Sequence, residues 1–88
     1  MKKRSWPRWW DWELEFTPHL FKRMEDRGFS ELDLRTMLGH ALSYHQDFAE
    51  GRWVIETKHQ GHLWEVIVEP EAACELLVVI TAYPVWGD

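Results

Sequence analysis

Cysteine is almost missing from these 88 residues. Cys74 stands alone, so no disulfide can form within the chain, and a lone thiol fits a reducing compartment. Apolar runs are short as well. None approaches the roughly 18–20 residues that span a bilayer. The opening MKKRSWPRWWDW is basic, but it lacks the aliphatic stretch and small-residue cleavage site of a secretory leader. The expectation is a cytoplasmic protein with no membrane partner. Basic charge is the third shortage: 10 Lys and Arg face 15 Asp and Glu, a net −5 with His neutral. That counts against holding nucleic acid by bulk electrostatics. There is no Gly-rich phosphate loop, nucleophile elbow, CxxC or HExxH, which removes several common enzyme templates.

What is present is a globular mixture, 45% hydrophobic and 28% charged, in a length that allows one domain. Seven Trp are unusually many, and large aromatic side chains add most to a small core. Four of them, Trp6, Trp9, Trp10 and Trp12, crowd the opening. Residues 1–12 are read as a Trp-rich extension and residues 13–86 as the domain. The extension suits a lid over a sheet. A base-stacking platform, or a sticky patch for a protein partner or a second copy of the chain, are the alternatives.

Along the domain, Trp12 to Thr17 alternates like an opening strand. Thr17-Pro18 is a helix start, with Thr as N-cap and Pro in the first turn. That helix runs to about Arg27 on an apolar face of Leu20, Phe21 and Met24, and Gly28 ends it. Ser30 caps a second helix with an acidic first turn. Its residues Leu32, Leu34, Met37, Leu38 and Leu42 are spaced for burial, and it closes near Gly39 to Ala41. A connector follows, with room for an edge strand over Ser43 to Phe48. Then the period becomes two: Arg52 to Lys58 and His62 to Glu69 flank a Gln60-Gly61 turn. Pro70 to Ala73 turns the chain, and Glu75 to Tyr83 reads as a central strand stopped by Pro84. The pattern predicts an α+β fold, β-α-α-β-β-β, with two N-terminal helices packed on an antiparallel sheet.

Three side chains of the first helix, His19, Arg23 and Arg27, recur at i, i+4 and share one stripe. One imidazole and two guanidiniums suit a phosphate-handling site, since His moves protons near neutral pH and Arg clamps oxygens through its fork. A solvated face, with the arginines paired to Glu25, Asp26 or Glu31, explains them equally simply. Thr81 and Tyr83 share a face where the last strand emerges. There Tyr83 can exchange a proton or merely reach water from the edge of the core. Lys58 shares a face with Arg52, Val54 and Glu56 and can stabilise a phosphate. His59 and His62 flank the turn beside it. A metal reading of these, with His40, His45 or Cys74, is set aside because no pair stands at i, i+4 on an expected helix and the one Cys lies in a turn. No cofactor is implied.

The pattern FTPHLFKRMEDRGFSELDL, then GRWVIETK, then LLVVITAYPV resembles a family of small bacterial domains of unknown function. Members carry H-x-x-x-R-M-x-x-R-G-[hydrophobic]-S on a helix, a strand opening in G-R, and a final T-x-Y. That family is similar in architecture to the RelE/ParE toxins. The resemblance spans about Phe16 to Val85. It implies a RelE-like ribonuclease domain that cleaves mRNA or tRNA, with an antitoxin protein as partner. Carried over by position, His19, Lys58 and Tyr83 become catalytic, and Arg23, Arg27, Arg52 and Thr81 hold substrate or phosphate. Two departures stand against cleavage of mRNA on the ribosome: the acidic charge, and the lack of a C-terminal catalytic helix after Pro84. A non-catalytic interaction domain of the same fold is therefore the alternative.

Overall fold

The computed structural model describes residues 6–85. Lys2, Lys3 and Arg4 of the basic opening, and Trp86 of the expected domain, lie outside them. A short 3-10 helix, Arg8–Asp11, leads into β1 (Glu13–Phe16), α1 (Pro18–Arg27) and α2 (Glu31–Gly39). Four strands follow: β2 (Ser43–Gln46), β3 (Trp53–His59), β4 (His62–Glu71) and β5 (Leu76–Pro84). With β1 they form one five-stranded sheet in the order β1-β5-β4-β3-β2.

This corrects the expected architecture in two respects. The sheet is mixed, because β1 runs parallel to β5, with Glu13 opposite Leu76 and Phe16 opposite Val79. The helices are not N-terminal but follow β1, forming the link between it and the rest of the sheet. Alternation in a four-residue strand shows that one side is buried, but it carries no information on the direction or identity of a partner some 60 residues away. The connector after α2 does add an edge strand, β2, antiparallel to β3. Pro70 does not turn the chain, since β4 continues through it to Glu71. Trp53, the first residue of β3, lies opposite Val68. Pro70 is therefore past the end of β3, on an open margin where a missing N–H is tolerated.

The helices form where local chemistry supports both ends. The Thr17 hydroxyl accepts from the Leu20 N–H at 3.1 Å, and Gly28 closes α1 at φ 69°, a left-handed conformation that costs glycine little. At α2, Ser30 and Asp33 make a reciprocal capping box, with bonds of 3.1 and 3.0 Å. That backbone bond from Ser30 is also the main reason the Asp33 carboxyl lies below its ordinary range. Both helices cover one face of the sheet. Leu20, Phe29, Leu34 and Met37 pack there on Ile55, Trp64, Val66, Val68, Leu77, Val79 and Ala82. Leu32 and Leu42, expected in the core, are exposed, as is Phe21. Thr57 is buried and donates to the Met37 carbonyl at 2.6 Å, which ties the end of α2 to β3.

The Trp-rich opening folds inward. Trp9 is buried in the same core, its ring 5.6 Å from Trp53 and 6.2 Å from Tyr44. Trp6 stacks on Trp10 at 4.5 Å. No helix among the described residues is long and apolar enough to cross a membrane.

Candidate functional site

The site is made by an irregularity in β5. Ile67 pairs with Thr81 while its neighbour Val68 pairs with Val79, so Ile80 has no partner and forms a bulge. Val79 faces the helices, and strict alternation would turn Thr81 and Tyr83 inward with it. The extra residue reverses this. Ala82 enters the core, and Tyr83 comes to the opposite face, directly across from Glu65. There the Tyr83 hydroxyl donates to Glu65 Oε1 at 2.7 Å.

β1 ends opposite Val79, so the last residues of β5 have no neighbouring strand on that margin. Arg27, at the end of α1, reaches it. Its Nη1 donates to the Ala82 carbonyl at 3.0 Å and to Thr81 Oγ1 at 3.4 Å. A cleft of about 700 Å3 opens beside it, lined by Asp26, Arg27, His59, His62, Trp64 and Tyr83 among others. The volume falls within the range of small-molecule sites. His59 and His62 meet here because the two-residue turn sets them opposite each other across the β3–β4 hairpin.

Electrostatics hold Tyr83 in its protonated form. Burial pushes its hydroxyl up to about 12, and the bond to Glu65 and the negative charges of Glu65 and Asp47 push the same way. Arg27 opposes them. The phenol is therefore a proton donor across the physiological range.

Of the residues expected from sequence, Arg27, Thr81 and Tyr83 converge on this margin. The others lie elsewhere. His19 is exposed at the start of α1 and does not line the cleft. Arg23 is held by Asp26 at 3.1 Å. Arg52 pairs with Glu69 at 3.1 Å, opposite the far end of β4 from the cleft. Lys58 is exposed on β3 across from Leu63. The stripe on α1 is real as geometry, but only its last member reaches the sheet. Glu65, His59, His62 and Trp64 join the site without having been expected in it, the two His having been weighed only as metal ligands. The hairpin turn already placed His59 beside His62, but Glu65 could be found only from the β4–β5 register. Among the described residues no three His, Cys, Asp or Glu side chains gather in a way that could hold a metal ion.

No family model, curated protein or solved structure matches the chain. The likeness to RelE/ParE toxins thus rests on the residue pattern alone.

Proposed function

We propose that the chain is a metal-independent ribonuclease of a toxin–antitoxin type, acting on RNA in the cytoplasm at the cleft between Arg27 and Tyr83. The observation that carries this reading is a cleft lined by one guanidinium and two imidazoles that opens at the free margin of β5, with the protonated Tyr83 hydroxyl just round that margin on the other face of the strand. RNA cleavage needs a cation on the phosphate, a base for the ribose 2′-hydroxyl and an acid for the leaving oxygen. Arg27 supplies the first, through those guanidinium donors that face away from Thr81 and Ala82. His62 takes the 2′-hydroxyl proton as that oxygen bonds to phosphorus. The bond from phosphorus to the 5′-oxygen breaks, and Tyr83 gives its proton to the departing oxygen. The products are a 2′,3′-cyclic phosphate and a free 5′-hydroxyl. An alkoxide is a stronger base than tyrosinate, so the last transfer runs downhill, and the nearby Arg27 steadies the phenolate. An antitoxin would act by covering this cleft.

The test is incubation of purified protein with single-stranded RNA in the presence of a chelator. Cleavage leaving cyclic phosphate ends, lost in Tyr83→Phe, supports the reading. Intact RNA at all protein concentrations would refute it. A second reading, a non-catalytic interaction domain, is favoured by the charge of the helix-free sheet face. Alternation and register set Glu56, Glu65 and Glu69 there, which repels a polyanion. Binding that survives high salt would favour this domain, since phosphate contacts weaken steeply as salt rises.

A further inference from the structure

His59 has a feature the cleavage scheme does not use. Its Nε2 is buried without a hydrogen-bond partner, a costly state for an imidazole nitrogen, although the residue as a whole is only half-buried. Its ring stands at 87° to that of Trp64, with centroids 5.3 Å apart. In this arrangement an imidazole N–H can point at an indole face, a weak bond but better than none. The inner nitrogen then carries the proton, and a neutral imidazole has only one. The other nitrogen, Nδ1, is left as a bare acceptor on the accessible side of the ring, where His59 lines the cleft. Trp64 is itself buried and is braced by Phe29 at 5.4 Å. The imidazole therefore has a rigid backing, and its tautomer is set from behind.

We infer that this wall is the seat of one unpaired nucleobase, with His59 Nδ1 accepting an N–H from the base edge while Arg27 holds the adjoining phosphate. The inference rests on the reading of the cleft as an RNA site and narrows it to single-stranded substrate. A base paired in a duplex shows only its groove-edge N–H groups, and it cannot bring its pairing edge to His59 without an unpairing cost. The single acceptor requires only an N–H donor, which all four bases carry. Selection in this seat is therefore for an unpaired nucleotide and not for a particular base.

The experiment is a titration of the full chain with each of the four nucleoside 3′-monophosphates and, as the baseless control, ribose 5-phosphate. Affinity and the 15N signals of the His59 ring are followed by NMR. The nucleotides should bind more tightly than ribose 5-phosphate and shift the Nδ1 signal, which the control leaves in place. His59→Phe keeps an aromatic ring on Trp64 but removes the acceptor. It should bind the nucleotides about fivefold more weakly and the control equally well. Equal binding of nucleotides and control by the wild type, or an unmoved His59 ring, would overturn the inference whether or not the variant folds. RNA cleavage is measured separately. Cleavage without base-dependent binding would remove the seat and leave the ribonuclease reading. Base-dependent binding without cleavage would keep the seat and remove that reading.

Discussion

Tyr83 keeps its proton because its ring is partly withdrawn from water and its hydroxyl faces a carboxylate, and this has a consequence that can be titrated. Folded, the phenol loses its proton at about 12 against an ordinary 10.0. The folded state thus binds the proton more tightly than the unfolded chain does. Its contribution to stability is fully present below pH 10 and is lost as pH rises from there to about 12. The ultraviolet signal of tyrosinate should show one group ionising near pH 12, and Glu65→Gln should move it down by removing the carboxylate charge while leaving an oxygen that accepts the bond. An unchanged titration in that variant would mean that Glu65 does not act on the hydroxyl. Arg27 carries the complementary expectation. Arg27→Ala loses the bonds to Thr81 and Ala82, which are partly exposed and thus of small weight in stability. Cleavage, however, should fall about a hundredfold, as for loss of one preorganised charge donor. Thermal unfolding and rate together separate the two effects.

Elements whose ends carry their own chemistry could be read from the chain, and those defined by distant partners could not. Thr17, Pro18 and Gly28 delimit α1 within the sequence itself, and Gln60-Gly61 does the same for the β3–β4 hairpin. The parallel pairing of β1 with β5 and the bulge at Ile80 have no such local mark. Ile80 is one more apolar residue in an apolar run, and nothing in ELLVVITAY says that it stands unpaired. For that reason Arg27, Thr81 and Tyr83 were legible as polar residues at element ends, but Glu65 and the inner face of His59 were not. His19 entered through i, i+4 spacing alone, which aligns residues on a helix without saying which of them meets the sheet. At this scale Thr57 gives the clearest test. Its hydroxyl is fully buried and donates to the last turn of α2. Thr57→Val leaves the Met37 carbonyl without that donor and should cost about 1–2 kcal/mol in urea unfolding, with little effect on cleavage. A neutral result would show that α2 is held by packing alone.

Across the whole molecule, the Trp-rich opening and the acidic sheet face set the terms on which the cleft works. Trp9 lies in the core with the helices and strands, so the described part of the opening, residues 6–12, belongs to the folded unit. Trp9→Ala should cost about 3–5 kcal/mol, a large share of the stability of a domain this small. Guanidinium denaturation of that variant should show a much lower midpoint, and an unchanged midpoint would make the opening a separate attachment. On the proposed ribonuclease reading, a net charge of −5 requires Arg27 and its immediate surroundings to draw RNA in against the field of the whole. Affinity should therefore be modest and should fall with salt by the slope of very few phosphate contacts. The most direct measurement of the central claim is the cutting of one defined single-stranded RNA by wild type, Arg27→Ala and Tyr83→Phe, side by side with a chelator present. The account predicts wild-type cleavage to cyclic phosphate ends, a rate about a hundredfold lower in Arg27→Ala, and none above background in Tyr83→Phe. Intact RNA with the wild type, or equal cutting by all three, would contradict it.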